Sequence, residues 1–320
     1  MSYALVPGVP LAEAVASVAA SEVDAALLSL ARVHAGADPT AVHDVRKRTK
    51  KLRALAVALS GTVPRRQWRA ASRAAAEAAR TLAGSRDAEV RLATLSALVG
   101  DRQAEFADAL AHAASLARPT PEAGGSARTA TSLGDDEQVQ HASWLLTGVA
   151  AEVASWQVPD RFDSLAGGLG DTYREGRRRW RSLASAAAGN SPPAVANLDA
   201  ELLHRWRRAV KYRWYHTRLC AAVAPDVLGA EATLLDEMGE SLGVDHDLDV
   251  LVATMTADPR PWGGPEAEAE VAQLAAERQG ELRARALDLG RQVYALRTDA
   301  HLDRLARWWR QTARNARPVR

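Results

Sequence analysis

The stretch Arg69-Ala-Ala-Ser-Arg-Ala-Ala-Ala-Glu-Ala-Ala-Arg80 is built almost entirely from strong helix formers. Alanine has the highest intrinsic helix propensity, and Arg and Glu rank close behind it. The same composition extends outward, because 47% of the 320 residues are hydrophobic, mostly Ala, Leu and Val, with only two Phe. The alternation of β-branched and aromatic residues that is typical of strands is scarce. The sequence therefore predicts an all-α protein with a substantial core.

Segments rich in Gly, Pro, Ser and Thr interrupt the predicted helices. Two longer segments cover residues 118–137 and 259–266, and shorter breaks occur at Gly61–Pro64 and Ser191–Pro193. Residues of these types favour turns and end helices. We therefore expect helices of ordinary to long length that are joined at these positions.

Two pairs of similar segments recur with a period near 160 residues. Val42-His-Asp-Val-Arg-Lys-Arg-Thr-Lys50 aligns with Leu203-His-Arg-Trp-Arg-Arg-Ala-Val-Lys211, and Arg86-Asp-Ala-Glu-Val90 aligns with His246-Asp-Leu-Asp-Val250. The gap from the His to the matched Asp is 44 residues in the first copy and 43 in the second. We predict one domain over 1–320 made of two helical-bundle repeats, residues 8–157 and 160–317, with long antiparallel helices packed face to face.

Each repeat contains one segment that is predicted to form a helix with a basic face. At about 100° per residue, cations at i, i+3, i+4 and i+7 share a face. The first helix has His43, Arg46, Lys47 and Lys50 there. Its opposite, core-facing side is predicted to hold Val45, Thr49, Leu52, Leu55, Ala56 and Leu59. The second helix has His204, Arg207, Arg208 and Lys211, extended by Tyr215 and Arg218, and a third helix after Tyr173 has Arg174, Arg177, Arg178 and Arg181.

These basic stripes predict a binding site for a polyanion. A single charged stripe is commonly a solvated surface, but these lack the interleaved acids that would neutralise them along the same helix. Four cations on adjacent turns repel one another, and a fold keeps that cost where an anion relieves it. Cations spread over more than one 5.4 Å turn suit a long polyanion better than one phosphate, and the sequence has no Gly-rich P-loop motif. Arg48 and Arg213 fall on apolar flanks, without an explanation from sequence.

At these residues the chain resembles the CHAD family, the conserved histidine α-helical domain. The family's first basic helix reads His-Asp-hydrophobic-Arg followed by further basic residues, which stands here as His43-Asp-Val-Arg-Lys-Arg-Thr-Lys-Lys-Leu-Arg53. Its second basic helix stands here as His204-Arg-Trp-Arg-Arg-Ala-Val-Lys-Tyr-Arg-Trp-Tyr215. The resemblance covers essentially the whole chain.

The resemblance implies two helical bundles related by an approximate two-fold axis. It also implies binding of inorganic polyphosphate on a basic surface built by both repeats, in some members at polyphosphate granules. Some members carry an attached triphosphate-tunnel domain with a Glu-x-Glu-x-Lys signature, which is not found here, so an enzyme partner of polyphosphate metabolism would be a separate chain. The predicted polyphosphate-binding residues are His43, Arg46, Lys47, Lys50, Lys51, Arg53, Arg174, Arg177, Arg178, Arg181, His204, Arg207, Arg208, Lys211 and Arg218.

The acidic turn around Asp245-His246-Asp247 and Asp249 could suggest the metal site of a His-Asp phosphohydrolase. The first repeat has Arg86 at the place of His246, which disfavours a metal. We expect instead that Asp87 and Asp247 pair with the basic helix of their own repeat and orient its side chains, with helix N-capping as the alternative.

We expect a binding protein rather than an enzyme, with no cofactor and no metal. His43 and His204 are accompanied by no Ser or Cys nucleophile motif, and we expect them to orient neighbours or contact anion oxygens. A metal-dependent phosphohydrolase is one alternative. An RNA-binding protein is another, although single-stranded RNA usually recruits exposed aromatic residues, whereas Trp206, Trp308 and Trp309 occupy core-like positions. Nucleic acid is therefore not an expected partner.

The sequence also predicts a cytoplasmic protein with no membrane partner, and the resemblance to the CHAD family implies an association with polyphosphate granules. Cys220 is the only cysteine, which excludes an intramolecular disulfide and suits a reducing compartment. The N-terminus lacks the basic segment of a signal peptide. The sequence shows no uninterrupted run of about 18 apolar residues of the kind that spans a bilayer.

Overall fold

The computed structural model describes residues 3–34, 40–82, 86–117, 135–188, 195 and 198–316. Within these ranges the protein consists of eleven α-helices, a few 3-10 turns and no strand, which confirms the all-α prediction. The helices are α1 (Leu11–His34), α2 (Ala41–Ala58), α3 (Arg65–Thr81), α4 (Arg86–Val99), α5 (Ala107–Ala117), α6 (Asp135–Ala154), α7 (Asp163–Ala188), α8 (Ala200–Leu219), α9 (Pro225–Ala257), α10 (Pro265–Val293) and α11 (Thr298–Asn315).

The helices end near the predicted breaks where these are described. Gly61–Pro64 separates α2 from α3. Before α10, Gly263 and Gly264 adopt φ values of 97° and 92°, a region that glycine enters without a Cβ clash. In the predicted loop 118–137, residues 118–134 lie outside the described residues and 135–137 begin α6; the break at 191–193 also lies outside them.

The first bundle consists of α1, α2, α3 and α6, each of which packs against two of the others. The predicted core face of α2 is confirmed, because Val45, Thr49, Leu52, Leu55, Ala56 and Leu59 are all buried. Full burial of a Leu side chain contributes about 1.5–3 kcal/mol. Helix α3 turns Ala71, Ala75 and Ala78 inward and leaves its polar side to solvent.

Helix α1 is the one described helix that is long and apolar enough to cross a membrane by length and composition. The span is Leu11–Val33, with a mean hydropathy of 1.5. Half of that helical window is buried in the protein, where α1 packs against α2 and α6. The buried Glu22 lies within it and forms ion pairs with α2.

The second bundle consists of α7, α8, α9 and α10, with α11 packed against α7. Its centre holds the buried aromatic residues Tyr173, Trp206 and Tyr294, so the core position predicted for Trp206 is confirmed. Helices α4 and α5, from the first half of the chain, pack around Trp262 together with α9 and α10. The internal repeat and its boundaries stay a prediction from the sequence.

Helices α2 and α7 cross at unusually close range. A Cβ atom at Gly168 would lie 2.1 Å from the carbonyl oxygen of Val57 and 2.4 Å from that of Ala58. Only glycine permits this approach, because no side chain separates the two backbones. The crossing brings α2 of the first bundle into contact with both α7 and α8 of the second.

The structure explains why Arg213 falls among the apolar positions of α8. Its guanidinium is buried, with Nη2 2.7 Å from Glu231 Oε1, and it lies 4.2 Å from the ring centroid of Tyr173. A buried charge persists only when it is paired and hydrogen-bonded, and here Glu231 supplies both, while the Tyr173 ring adds a cation–π contact. Arg213 is therefore a structural residue that links α8 to α9 and α7.

Candidate functional site

The two predicted basic helices meet along one groove. Helix α2 contributes Lys50 and Arg53, and α8 contributes six further residues. The groove has a volume of about 320 Å³. Its α8 wall is made of His204, Arg207, Arg208, Lys211, Tyr212 and Tyr215. Cations that are about 160 residues apart in the sequence therefore line a single depression.

Small residues of α9 let the α8 cations lie along the helix surface. A Cβ at Gly239 would be 2.9 Å from Lys211 Cε, and a Cβ at Gly243 would be 3.4 Å from an Arg207 guanidinium nitrogen. The two glycines are four residues apart and thus on the same face of α9. They leave room for the Lys211 stem and the Arg207 guanidinium to lie against α9, and both side chains line the groove.

The cations of the groove are neutralised only in part. Lys211 Nζ lies 2.7 Å from Glu240 Oε1 and 4.0 Å from Asp236. Arg53, Arg207 and Arg208 form no ion pair with any carboxylate in the described ranges. A cluster of uncompensated cations in a concave surface focuses a positive potential, which attracts anions.

His204 is a neutral member of this wall. Burial lowers its pKa, and the nearby His246 ring, 5.2 Å away, adds to the effect together with Arg208 and Arg207, while Glu201 opposes it. Its Nδ1 is buried without a hydrogen-bond partner among the described residues, as is Nε of Arg53. An anion that enters the groove would supply the missing acceptors and favour the protonated imidazole.

The structure places Lys51 in the interior and not on the predicted binding surface. Its side chain is buried and its Nζ lies 2.6 Å from Glu22 Oε1, while Arg48 Nη1 lies 2.9 Å from Glu22 Oε2. Burial lowers the pKa of Lys51, and the hydrogen bond that Lys51 donates to Glu22 opposes that shift. Lys51 therefore links α2 to α1. The ion pair between Arg48 and Glu22 explains why Arg48 lies beside the apolar side of α2.

The remaining predicted residues of α2 and α8 extend the basic surface beyond the groove. His43, Arg46 and Lys47 lie nearer the N-terminus of α2, exposed or half-buried, and do not line the groove. Arg218 follows the groove on α8 with its guanidinium 4.7 Å from the ring centroid of Trp214.

The α7 stripe does not join this groove. Arg174, Arg177 and Arg181 line a separate and more open depression of about 560 Å³, together with Arg297 before α11. The expectation that the stripes lack interleaved acids was wrong for α7. Arg174 pairs with Asp171 at 2.5 Å and Arg178 pairs with Glu175, both within the helix, and Arg177 Nε donates to the Tyr294 carbonyl oxygen.

The acidic turn of α9 is bound to α10 rather than to the basic helix. Arg283 Nε lies 2.5 Å from the buried Asp245 Oδ1, and Gln279 Nε2 donates to Asp249 Oδ1 at 2.6 Å. Burial raises the pKa of Asp245 to about 6, with Arg283 opposing the shift. Asp247 is half-exposed and forms no ion pair with α8 in the described structure, which corrects the predicted pairing; the side chain of Asp87 lies outside the described residues.

The described residues contain no cluster of three or more His, Cys, Asp or Glu that could hold a metal ion. The prediction from the sequence missed Tyr212 and did not include Tyr215 among the polyphosphate-binding residues, although both line the groove. Tyr215 lies on the basic side of α8, at about the same angle as His204 and Lys211, and burial raises its pKa to about 12. The position of Tyr215 four residues after Lys211, one turn further along α8, was the signal available in the sequence.

Two packed helical bundles with a groove of cationic and tyrosine side chains between them define an all-α helical scaffold. The CHAD domain family model matches residues 17–256, three quarters of the chain and both basic helices. The chain belongs to the CHAD domain family. Comparisons with curated proteins and with solved structures gave no match.

Proposed function

We propose that this protein binds inorganic polyphosphate in the groove between α2 and α8. The observation that carries the proposal is the convergence of Lys50 and Arg53 with three α8 cations on one concave surface. Polyphosphate presents a continuous line of anionic oxygens, and guanidinium groups bind such oxygens through charge-assisted, often bidentate hydrogen bonds. Membership of the CHAD family supports the same ligand.

Two of the residues that line the groove each carry an unpartnered nitrogen, which supports a multi-point contact. Arg53 Nε and His204 Nδ1 are buried without partners in the described structure. An unsatisfied buried polar atom costs about 1–3 kcal/mol, so a ligand oxygen that reaches it recovers that cost. The His204 ring, held neutral in the free protein, gains a proton more readily beside a bound phosphate.

We further propose that the protein holds polyphosphate without hydrolysing it, in the cytoplasm or at polyphosphate granules, where a separate enzyme of polyphosphate metabolism acts on the chain. The acids nearest the groove are engaged with cations: Asp245 with Arg283 and Glu240 with Lys211. Incubation with polyphosphate and Mg²⁺ or Mn²⁺ should release no phosphate. Release that is lost in Asp247→Ala would favour a phosphohydrolase instead.

A matched pair of variants tests the groove. Arg208 and Arg205 are exposed residues of the same helix, but Arg208 lines the groove, whereas Arg205 lies outside it and pairs with Glu201 at 2.7 Å. A charge-assisted hydrogen bond contributes about 1.5–3 kcal/mol. In calorimetric titrations with polyphosphate, Arg208→Gln should therefore weaken binding about tenfold, and Arg205→Gln should leave the affinity within about twofold.

Salt and competition complete the test. Binding of a line of phosphates releases counterions, so affinity should fall by orders of magnitude between about 50 mM and 500 mM salt. Excess single-stranded RNA should not displace polyphosphate. Equal loss in both variants, or no binding to long chains at low salt, would contradict the groove assignment, and displacement by RNA would favour an RNA-binding protein.

A further inference from the structure

Helix α3 carries a second line of cations that the groove does not use. Arg65, Arg66, Arg69, Arg73 and Arg80 are all exposed, and at 100° per residue they fall within an arc of about 100°. The opposite side of the helix, with Ala71, Ala75 and Ala78, is buried in the first bundle. The arginines thus form one outward face about 22 Å long, hereafter the α3 arginine face. No α3 residue lines the α2–α8 groove.

Most of this face is without compensating charge. Arg80 pairs with Glu77, the only acid of the helix. Arg65, Arg66, Arg69 and Arg73 form no ion pair with any carboxylate of the described residues, and the Arg69 guanidinium lies 5.3 Å from the ring centroid of Trp68. Four like charges along adjacent turns repel one another, which makes the face attractive to a polyanion.

Two of these arginines also stand at the unfavourable end of the helix. Arg65 and Arg66 occupy the first turn, which contains no acid. Because the helix dipole places partial positive charge at that end, cations there are destabilising and an anion is stabilised. The basic residues of α11 differ, since Arg310 and Arg314 lie near its C-terminus, where the dipole favours cations, and Asp303 lies one turn before Arg307.

The chemistry of the α3 arginine face fits a flexible phosphate chain better than a lipid surface. A helix that binds a bilayer exposes large apolar side chains beside its cations. The exposed large apolar residues of the described structure lie elsewhere, and none belongs to α3. Arginines repeated over about 22 Å exceed what a single phosphate can contact.

We propose that the α3 arginine face is a second polyphosphate-binding surface, which contacts long chains outside the groove. The inference rests on the proposed function for the identity of the ligand. The groove holds a short stretch of the chain, and the α3 arginine face adds affinity only when the chain is long enough to reach it or when a second chain is present.

The test compares two triple charge reversals with identical spacing. Arg66→Glu/Arg69→Glu/Arg73→Glu changes the α3 arginine face, and Arg307→Glu/Arg310→Glu/Arg314→Glu makes the same change of net charge on exposed residues of α11. Calorimetry uses tripolyphosphate as the probe of the groove and long-chain polyphosphate as the probe of both surfaces. The α3 variant should bind tripolyphosphate within about twofold of wild type but long chains about tenfold more weakly, with a shallower salt dependence.

The α3 variant should also melt no lower than wild type, because Arg66→Glu places a carboxylate at the positive end of the helix dipole and Arg69→Glu places one a turn from Arg65. Equal weakening of long-chain binding by the α11 variant would show a net-charge effect and overturn the inference. Equal weakening of tripolyphosphate binding would place α3 in the groove site and overturn it as well. Binding to phosphatidylserine vesicles that the α3 variant loses would replace it with a lipid surface. Absence of any polyphosphate binding by wild type would instead refute the proposed function.

Discussion

Two adjacent lysines show how different the roles of neighbouring residues are. Lys50 is exposed at the groove, whereas Lys51 is buried against Glu22 on α1. The rotation of about 100° between consecutive helical residues separates the two environments. One lysine therefore lines the groove, and the other is part of the packing between helices.

Substitution of each lysine by methionine separates binding from stability. Lys51→Met leaves the buried Glu22 with Arg48 alone, and we expect a loss of about 3 kcal/mol in urea unfolding with polyphosphate affinity unchanged. Lys50→Met should leave stability within about 0.5 kcal/mol and weaken binding several-fold. Unfolding curves and calorimetry on both variants provide the measurement. The reverse pattern would show that Lys51, not Lys50, reaches the ligand.

At the scale of elements, the groove depends on how closely α2 approaches the second bundle. The backbone contact at Gly168 sets that distance, because the Cβ of any other residue would lie within 2.1 Å of the Val57 carbonyl oxygen. The same α2 helix supplies Lys50 and Arg53 to the groove. The site therefore depends on a crossing that lies outside it.

Gly168→Ala should destabilise the protein by about 2–3 kcal/mol, since two backbones must separate to admit the methyl group. Polyphosphate affinity should fall at the same time, because α2 moves relative to α8. Gly148 on α6 is the control. A Cβ there meets nothing within 4 Å, so Gly148→Ala should stabilise the helix by about 0.5–1 kcal/mol. Equal melting temperatures for the two variants would contradict the close crossing.

At the scale of the whole molecule, two histidines are buried in the neutral form, and one of them, His216, connects the two bundles. Burial lowers the pKa of His216 to about 4, and its Nε2 donates to the Ala54 carbonyl oxygen of α2 at 2.9 Å. Burial, together with Arg213 and Arg304, lowers the pKa of His301 to about 2. Asp245 opposes them, because burial raises its pKa from 3.8 to about 6.

Acid should therefore destabilise the fold. Below pH 6.5 these histidines become protonated in the unfolded state but stay neutral in the folded state. The free energy of unfolding therefore falls as the pH drops toward 4. The contribution of Asp245 runs the other way, being fully present below pH 3.8 and lost as the pH rises through 6. Because the two histidines outweigh Asp245, the free energy of unfolding should be about 2–3 kcal/mol lower at pH 5 than at pH 7.

Urea unfolding at the two pH values measures this difference. His216→Gln keeps a donor for Ala54 but cannot titrate, so it should reduce the loss by about 2 kcal/mol, the contribution of one histidine. A stability that does not change between pH 7 and pH 5, or an unchanged loss in His216→Gln, would show that these histidines are not held neutral.

The sequence by itself determined the helical class, the core face of α2 and the basic stripes on α2 and α8. These are local properties, because helix propensity and the side of a helix that carries apolar residues follow from neighbours within a few positions. Leu55 and Leu59 on one side of α2 and Lys50 on the other illustrate this, since their angular positions alone predicted which would be buried.

Only the tertiary structure decided which cations face the groove. Lys51 and Arg213 carry the same charge as Lys50 and Arg208, but Glu22 and Glu231, on other helices, place them in the interior. Burial of a residue on the flank of a helix depends on which helix packs beside it and at what angle, and a helical wheel contains neither quantity. For the same reason, the association of α4 and α5 with α9 and α10 is a property of the packed molecule and not of the sequence pattern.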